Sequence, residues 1–141
     1  MGNDVVYASS CRLGNYEELA SEWQALESRA DPKFFLSWQW MGSWLRVFQP
    51  EAWVLRLKTE GELVGLGIIV EAEEKRHGVL RSRCLRLNQT GDAILDQIWI
   101  EYNGFLAARG YEDAVDQAGL AYICREWEDW DELVVGAIEK Q

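Results

Sequence analysis

The chain has 141 residues, 48% of them apolar and 12% aromatic, with 24 acids against 14 bases and a formal charge of −10. That length and composition fit one domain with a sizeable core, and only two prolines and no Ser/Gly-rich tract argue against long linkers. The acidic balance excludes nucleic acid and anionic membranes as partners, both of which need clustered Lys and Arg, and the longest apolar run, 63–70, is far short of the roughly 20 residues that cross a bilayer.

The predicted elements begin with a strand at Val5, Val6 and Tyr7. Asn15 caps a first helix, with Glu18 three residues on to complete a capping box. Tyr16, Leu19, Trp23 and Leu26 share one face of that helix, and Asp31-Pro32 ends it. A second helix starts near Ser37. Its apolar stripe is Trp40, Met41, Trp44, Leu45 and Phe48, and Pro50 stops it. Trp38 falls off the stripe and is a candidate for surface stacking.

Strands follow. Trp53, Leu55 and Leu57 alternate with Val54, Arg56 and Lys58, and Glu60-Gly61 reads as a hairpin turn. Val64, Leu66, Ile68 and Val70 form one face of the next strand. Gly65 and Gly67 strip the other face, so a helix or ligand can lie close against it. A basic turn at His77-Gly78 leads to a strand near 84–87. Within 94–106, Ile98, Ile100 and Tyr102 alternate as in a strand, while Leu95, Ile98, Tyr102 and Phe105 fit a helix. An extended segment with a turn at Asn103-Gly104 is the expectation. A helix over 111–127 puts Val115, Ala118, Tyr122 and Ile123 on one face. A buried strand over 133–138 closes the chain, and it is expected to pair in parallel with 84–87. The order β-α-α-β-β-β-α-β predicts an α+β layer, a mixed, mostly antiparallel sheet with packed helices.

Cys11, Cys84 and Cys124 are odd in number and far apart, and His77 is the sole histidine. No zinc-ligand spacing results, so no metal is expected; buried free thiols in a reducing cytoplasm are. No basic-then-apolar leader pattern opens the sequence. Charge is uneven. Residues 112–141 hold nine acids against Arg125 and Lys140, whereas 75–86 hold Lys75, Arg76, Arg81, Arg83 and Arg86 without an acid. Trp127 and Trp130 sit among the C-terminal acids, a pattern found at interfaces.

The most informative stretch is 84–106, where a short apolar strand runs into Asn88, Gln89, Thr90, Gly91 and Asp92, followed by Asp96, Glu101 and Asn103 in an otherwise apolar run. Apolar walls with a few convergent polar groups are what bind small molecules. Asp92, Asp96, Glu101 and Asn103 are therefore ligand-binding candidates near one polar pocket, with Trp38 as a further candidate. A carboxylate whose pKa is raised by burial serves as a general base. The structural alternative makes Asp92 a turn residue, Asp96 a helix cap and Asn103-Gly104 a plain turn. No Gly-x-Ser-x-Gly, Cys–His or Ser–His arrangement supports nucleophilic catalysis.

The element order is similar to the GNAT acyltransferase fold. Phe35, Ser37, Trp40 and Trp44 at the start of the second helix, Gly61-Glu62-Leu63-Val64-Gly65 on the central hairpin, and the Gly91-Asp92, Asp96 and Glu101-Tyr102-Asn103 string carry a closer likeness. With them the chain resembles the N-terminal half of the CelD/FemAB-like acyltransferases, which carry two GNAT-like modules in tandem. The resemblance covers nearly all of 1–141 and implies a single GNAT-like module. It also implies that most of the acyl-donor site belongs to a second module. The loop that in GNAT enzymes holds coenzyme A pyrophosphate on backbone N–H groups has no counterpart here. Asn88 to Asp92 offers only Gly91 and ends in a carboxylate, which repels phosphate. The expectation is a stand-alone, non-catalytic small-ligand-binding or interaction domain with no cofactor, forming a homodimer or docking on a partner protein. The alternative is an N-acyltransferase, using acyl-CoA, that completes its site by homodimerising or with a separately encoded partner.

Overall fold

The structure, a computed structural model, describes residues 4–32, 34–89 and 104–135. Strand β1 (Tyr7–Arg12) is followed by helices α1 (Tyr16–Glu27) and α2 (Trp38–Phe48), then β2 (Ala52–Thr59), β3 (Glu62–Arg76) and β4 (Leu80–Leu87). A two-residue strand β5 (Leu106–Ala107), helix α3 (Glu112–Glu126) and strand β6 (Glu132–Val134) complete it. The strands order as β1-β2-β3-β4-β6, with β5 off this path and paired to β3. Every pairing is antiparallel except β4 with β6, which is parallel as the sequence led us to expect. The fold is α+β, a mostly antiparallel sheet with helices packed on it.

Local signals explain the element ends. The Asn15 side chain accepts a hydrogen bond from the Glu18 N–H at 3.0 Å and starts α1. Ser37 does the same for Trp40 at the start of α2. Gln49, in the left-handed region at φ 43°, ends α2 one residue before Pro50. Glu60 and Gly61 both have positive φ, as a two-residue turn matching strand twist requires. Helix α1 ends at Glu27, before the expected Asp31-Pro32 stop. The intervening Ala30 bridges to Ala108 instead. Strand β1 begins at Tyr7, two residues later than expected, and β4 begins at Leu80, earlier than expected.

Helices cover both faces of the sheet. On one, α1 buries Leu19, Trp23 and Leu26, and α2 buries Met41, Trp44 and Leu45, against Val54, Val64, Leu66 and Ile68. The buried Trp23 indole donates to the Leu36 carbonyl at 2.8 Å, so its one polar atom is satisfied. Arg56 meets Glu22 of α1 with two bonds of 2.8 and 2.7 Å, which hold its guanidinium protonated well above the usual range. On the other face lies α3. Val115 sits where a Gly65 side chain would be, and the Phe105 ring fills the space that Gly67 and Gly119 leave empty.

The thiols depart from expectation. Cys84 is buried, but Cys11 and Cys124 are exposed. Cys11 lies on the outermost strand and Cys124 on the solvent side of α3, where apolar character alone does not bury a side chain. Among the described residues no helix is long and apolar enough to cross a membrane. In native protein, Ellman's reagent should titrate two thiols per chain quickly and the third only after denaturation. Three fast thiols would mean that the β4 packing over Cys84 opens.

The Phe105 slot gives a sharper test. A Cβ on Gly119 would lie 2.7 Å from Phe105 Cζ. Alanine is favoured over glycine in a helix by about 1 kcal/mol. Overpacking costs about 1–3 kcal/mol, so Gly119→Ala should lower the urea midpoint. In a Phe105→Leu background the same change should be neutral or stabilising. A raised midpoint in the wild-type background would show that the slot is loose.

Candidate functional site

Asp92, Asp96, Glu101 and Asn103 lie outside the described residues; what is described is the frame on either side of them. β4 follows β3 up to the Ile69–Leu87 pair. There Asn88 turns the chain with φ 55°. Its N–H donates to the Ile68 carbonyl at 2.7 Å, and its side-chain oxygen accepts from the Ile68 N–H at 2.9 Å. One asparagine thus meets both backbone groups of Ile68 and ends the ladder without an orphan. Its amide nitrogen donates to the Gly104 carbonyl at 2.9 Å. The segment holding four of the five candidates therefore leaves and returns through one buried residue, 2% exposed, at the end of the strand closing at Leu87.

Asparagine tolerates the left-handed region and supplies both a donor and an acceptor. Asn88→Ala removes both bonds, and loss of the buried one leaves the Ile68 N–H unpaired at about 1–3 kcal/mol. We expect a large drop in the urea midpoint and faster hydrogen exchange at the Ile68 amide. Unchanged protection at Ile68 would show that the side chain is not what closes the ladder.

Trp38, the fifth candidate, is half-buried between the helices. Its ring lies 5.2 Å from Tyr16 and 6.2 Å from Trp23, and its backbone N–H donates to Glu27 at 2.9 Å. It closes over Gly42, where an added Cβ would meet the indole at 2.7 Å. The ring is occupied by helix packing.

The β4–β6 seam forms a polar cluster that sequence spacing did not reveal. Cys84 faces Glu132, Leu85 faces Leu133 and Arg86 faces Val134. The Glu132 carboxylate accepts from the Ser82 hydroxyl, and the Cys84 thiol lies 3.2 Å from the same oxygen. Parallel pairing is the reason: it carries Glu132 past β4 from nearly fifty residues away. The seam continues at Arg83, whose N–H donates to the Asp131 carboxylate at 2.8 Å while its carbonyl accepts from the Asp131 N–H at 2.7 Å.

Among the described residues, two hollows lie on the α3 side. One, of about 270 Å³, is lined by Glu71, Glu73, Arg83, Asp129 and Trp130 with Ala72, Cys84 and Leu85. The other, of about 250 Å³, is lined by Ser10, Trp53, Tyr122, Glu126, Trp127 and Glu128. Trp127 links them. Its indole N–H donates to Glu71 at 3.0 Å, and its ring meets Trp53 edge-on at 5.5 Å. The Trp130 indole donates to the Trp127 carbonyl at 3.0 Å, and Ser10 hydrogen-bonds Tyr122 at 2.8 Å. Trp127 and Trp130, singled out in the sequence for their acidic setting, thus wall a concave surface. Among the described residues no group of three His, Cys, Asp or Glu side chains is placed to hold a metal ion.

No protein-family model and no curated protein matches the sequence. Among solved structures the chain is similar to a ribosomal-protein-alanine N-acetyltransferase from Brucella melitensis biovar Abortus 2308. The identity is 16%, the TM-score is 0.45, and the alignment covers 92% of this chain and 79% of that one.

Proposed function

We propose that this GNAT-like chain is a binding module and not a self-sufficient acyltransferase. The observation that carries the reading is the concave surface on the α3 side. Indole walls supply apolar area, while Glu71, Glu73, Asp129, Glu126 and Glu128 supply negative charge that outnumbers the one lining cation, Arg83, which pairs with Asp129 at 3.7 Å. Rings and carboxylates together favour a small organic cation such as an aliphatic amine or guanidine. Two further observations support it. The β4–β6 seam is closed by pairing at Cys84, Leu85 and Arg86. In sequence, residues 88–92 hold a single glycine and end in Asp92, a poor composition for cradling pyrophosphate.

Titration with a panel of alkylamines and guanidines, followed by the indole N–H resonances of Trp127 and Trp130, tests the reading. Shifts at both, weakened by Glu73→Gln, are the expected result. A full panel that leaves both resonances unmoved would reject it.

The Ser82–Glu132–Cys84 cluster favours a second reading, an N-acyltransferase that completes its site with a second copy or a partner. Glu132 would then take the proton of the acceptor amine. Incubation with acetyl-CoA and amines should release no thiol above the no-protein rate under the first reading. Release that Glu132→Gln abolishes would establish the second.

A further inference from the structure

The outer edge of the sheet carries an inference independent of either reading. Leu13 donates its N–H to the Ala52 carbonyl at 2.9 Å, so Leu13 turns its backbone toward β2. By the two-residue period of an antiparallel pair, Cys11, Ser9 and Tyr7 do the same, facing Val54, Arg56 and Lys58. Ala8, Ser10 and Arg12 therefore turn their N–H and carbonyl groups outward, and no described residue bonds to them. Native proteins guard such an edge with lysine, proline or a bulge. This one has no charge, proline or glycine from Val5 to Cys11. Val5 and Tyr7 are 60% and 70% exposed on it.

The ends of the segment are charged and opposite. Asp4 lies on the α3 side of the sheet, where it accepts from the Tyr111 hydroxyl at 2.9 Å. Arg12 lies on the same side, its guanidinium 5.1 Å above the Trp53 ring. We propose that β1 pairs antiparallel with β1 of a second copy of this chain about a two-fold axis at Ala8, each Asp4 opposite the other copy's Arg12.

The register follows from charge and from backbone direction together. Centring on Ala8 sets outward-turned Ala8 against outward-turned Ala8, and, if the strand period continues ahead of Tyr7, Val6 falls opposite Ser10 and Asp4 opposite Arg12. A slip of one residue in one copy would set outward groups against inward ones. Shifting the axis to Ser10 sets Arg12 opposite Ala8 and loses both ion pairs. On the α1 side of the sheet the chosen register puts Val5 opposite Cys11 and Tyr7 opposite Ser9. The two Tyr7 rings become diagonal neighbours across the axis, within reach of each other. Such a contact is isologous and closed, so it ends at two copies.

Light scattering across micromolar to near-millimolar concentrations reads the association. The mass should rise from 16.2 kDa toward twice that value. A constant 16.2 kDa would overturn the proposal. Ala8→Pro removes an N–H that faces away from β2, a place where an edge strand accepts proline. It should give a folded monomer, and a folded variant that still associates like the wild type would defeat the idea. If that variant does not fold, the charges decide. Asp4→Arg alone should abolish association, and Asp4→Arg combined with Arg12→Asp should restore it. A double variant that stays monomeric while folded would reject the register.

Discussion

The fold depends on the point where Asn88 takes over a task that backbone performs elsewhere. β3 is fifteen residues long, and no single neighbour follows it from end to end. Its later half pairs with β4, and Gly65 and Leu66 in its first half pair with β5 on the same side. Where one neighbour leaves and the other arrives, buried peptide groups would be orphaned at a cost of about 1–3 kcal/mol each. Asn88 meets both groups of Ile68 and holds Gly104, next to the return of the chain. The position of β5, the approach of Phe105 to the sheet and the anchoring of the polar segment after β4 all follow.

Around that junction the sheet is buried from both sides, and the two sides are covered differently. The α1–α2 side uses large residues, with Trp23, Met41 and Trp44 filling the space above Val54, Leu66 and Ile68. The α3 side uses absence. Glycines on β3 and α3 bring helix and strand close enough to clamp a phenyl ring. Dispersion contacts are individually small, so a close-packed slot of this kind is sensitive to one added methyl group. Farther along, beyond the C-terminal end of α3, packing gives way to the indole-walled hollows, where carboxylates replace apolar neighbours.

Charge is sorted by face and by element. Arg56 and Glu22 tie β2 to α1 where both are partly shielded from water, which makes the pair worth more than an exposed one. The Arg109–Asp31 and Arg29–Glu62 contacts are exposed and contribute little to stability, but they fasten the stretch after α1 to the sheet. Of the C-terminal acids, Glu126, Glu128 and Asp129 line the hollows walled by Trp127 and Trp130, where Arg83 also takes part.

Periodicity and capping made most elements legible in advance. Asn15 and Ser37 start helices through hydrogen bonds to residues three positions away, and the apolar faces of α1, α2 and α3 follow from 3.6-residue spacing. The paired Gly65 and Gly67 announced a close approach to the sheet. These are local or one-element properties, so sequence order carries them. The site was read less completely. Trp127 and Trp130 stood out by their acidic setting, but Trp38 left its stripe only to pack against Tyr16 and Trp23 on another helix. The two-residue β5 is too short to have a period, and Glu132 reaches Ser82 and Cys84 only because β6 lies parallel to β4. Nor does spacing show that the Trp127 indole bonds Glu71 and joins two hollows. Sequence by itself determined the helices, the long strands and the acidic, tryptophan-bearing C-terminal region. Tertiary structure alone decided which side chains from distant segments share a surface, because that depends on strand pairing and helix placement across gaps that no local pattern encodes.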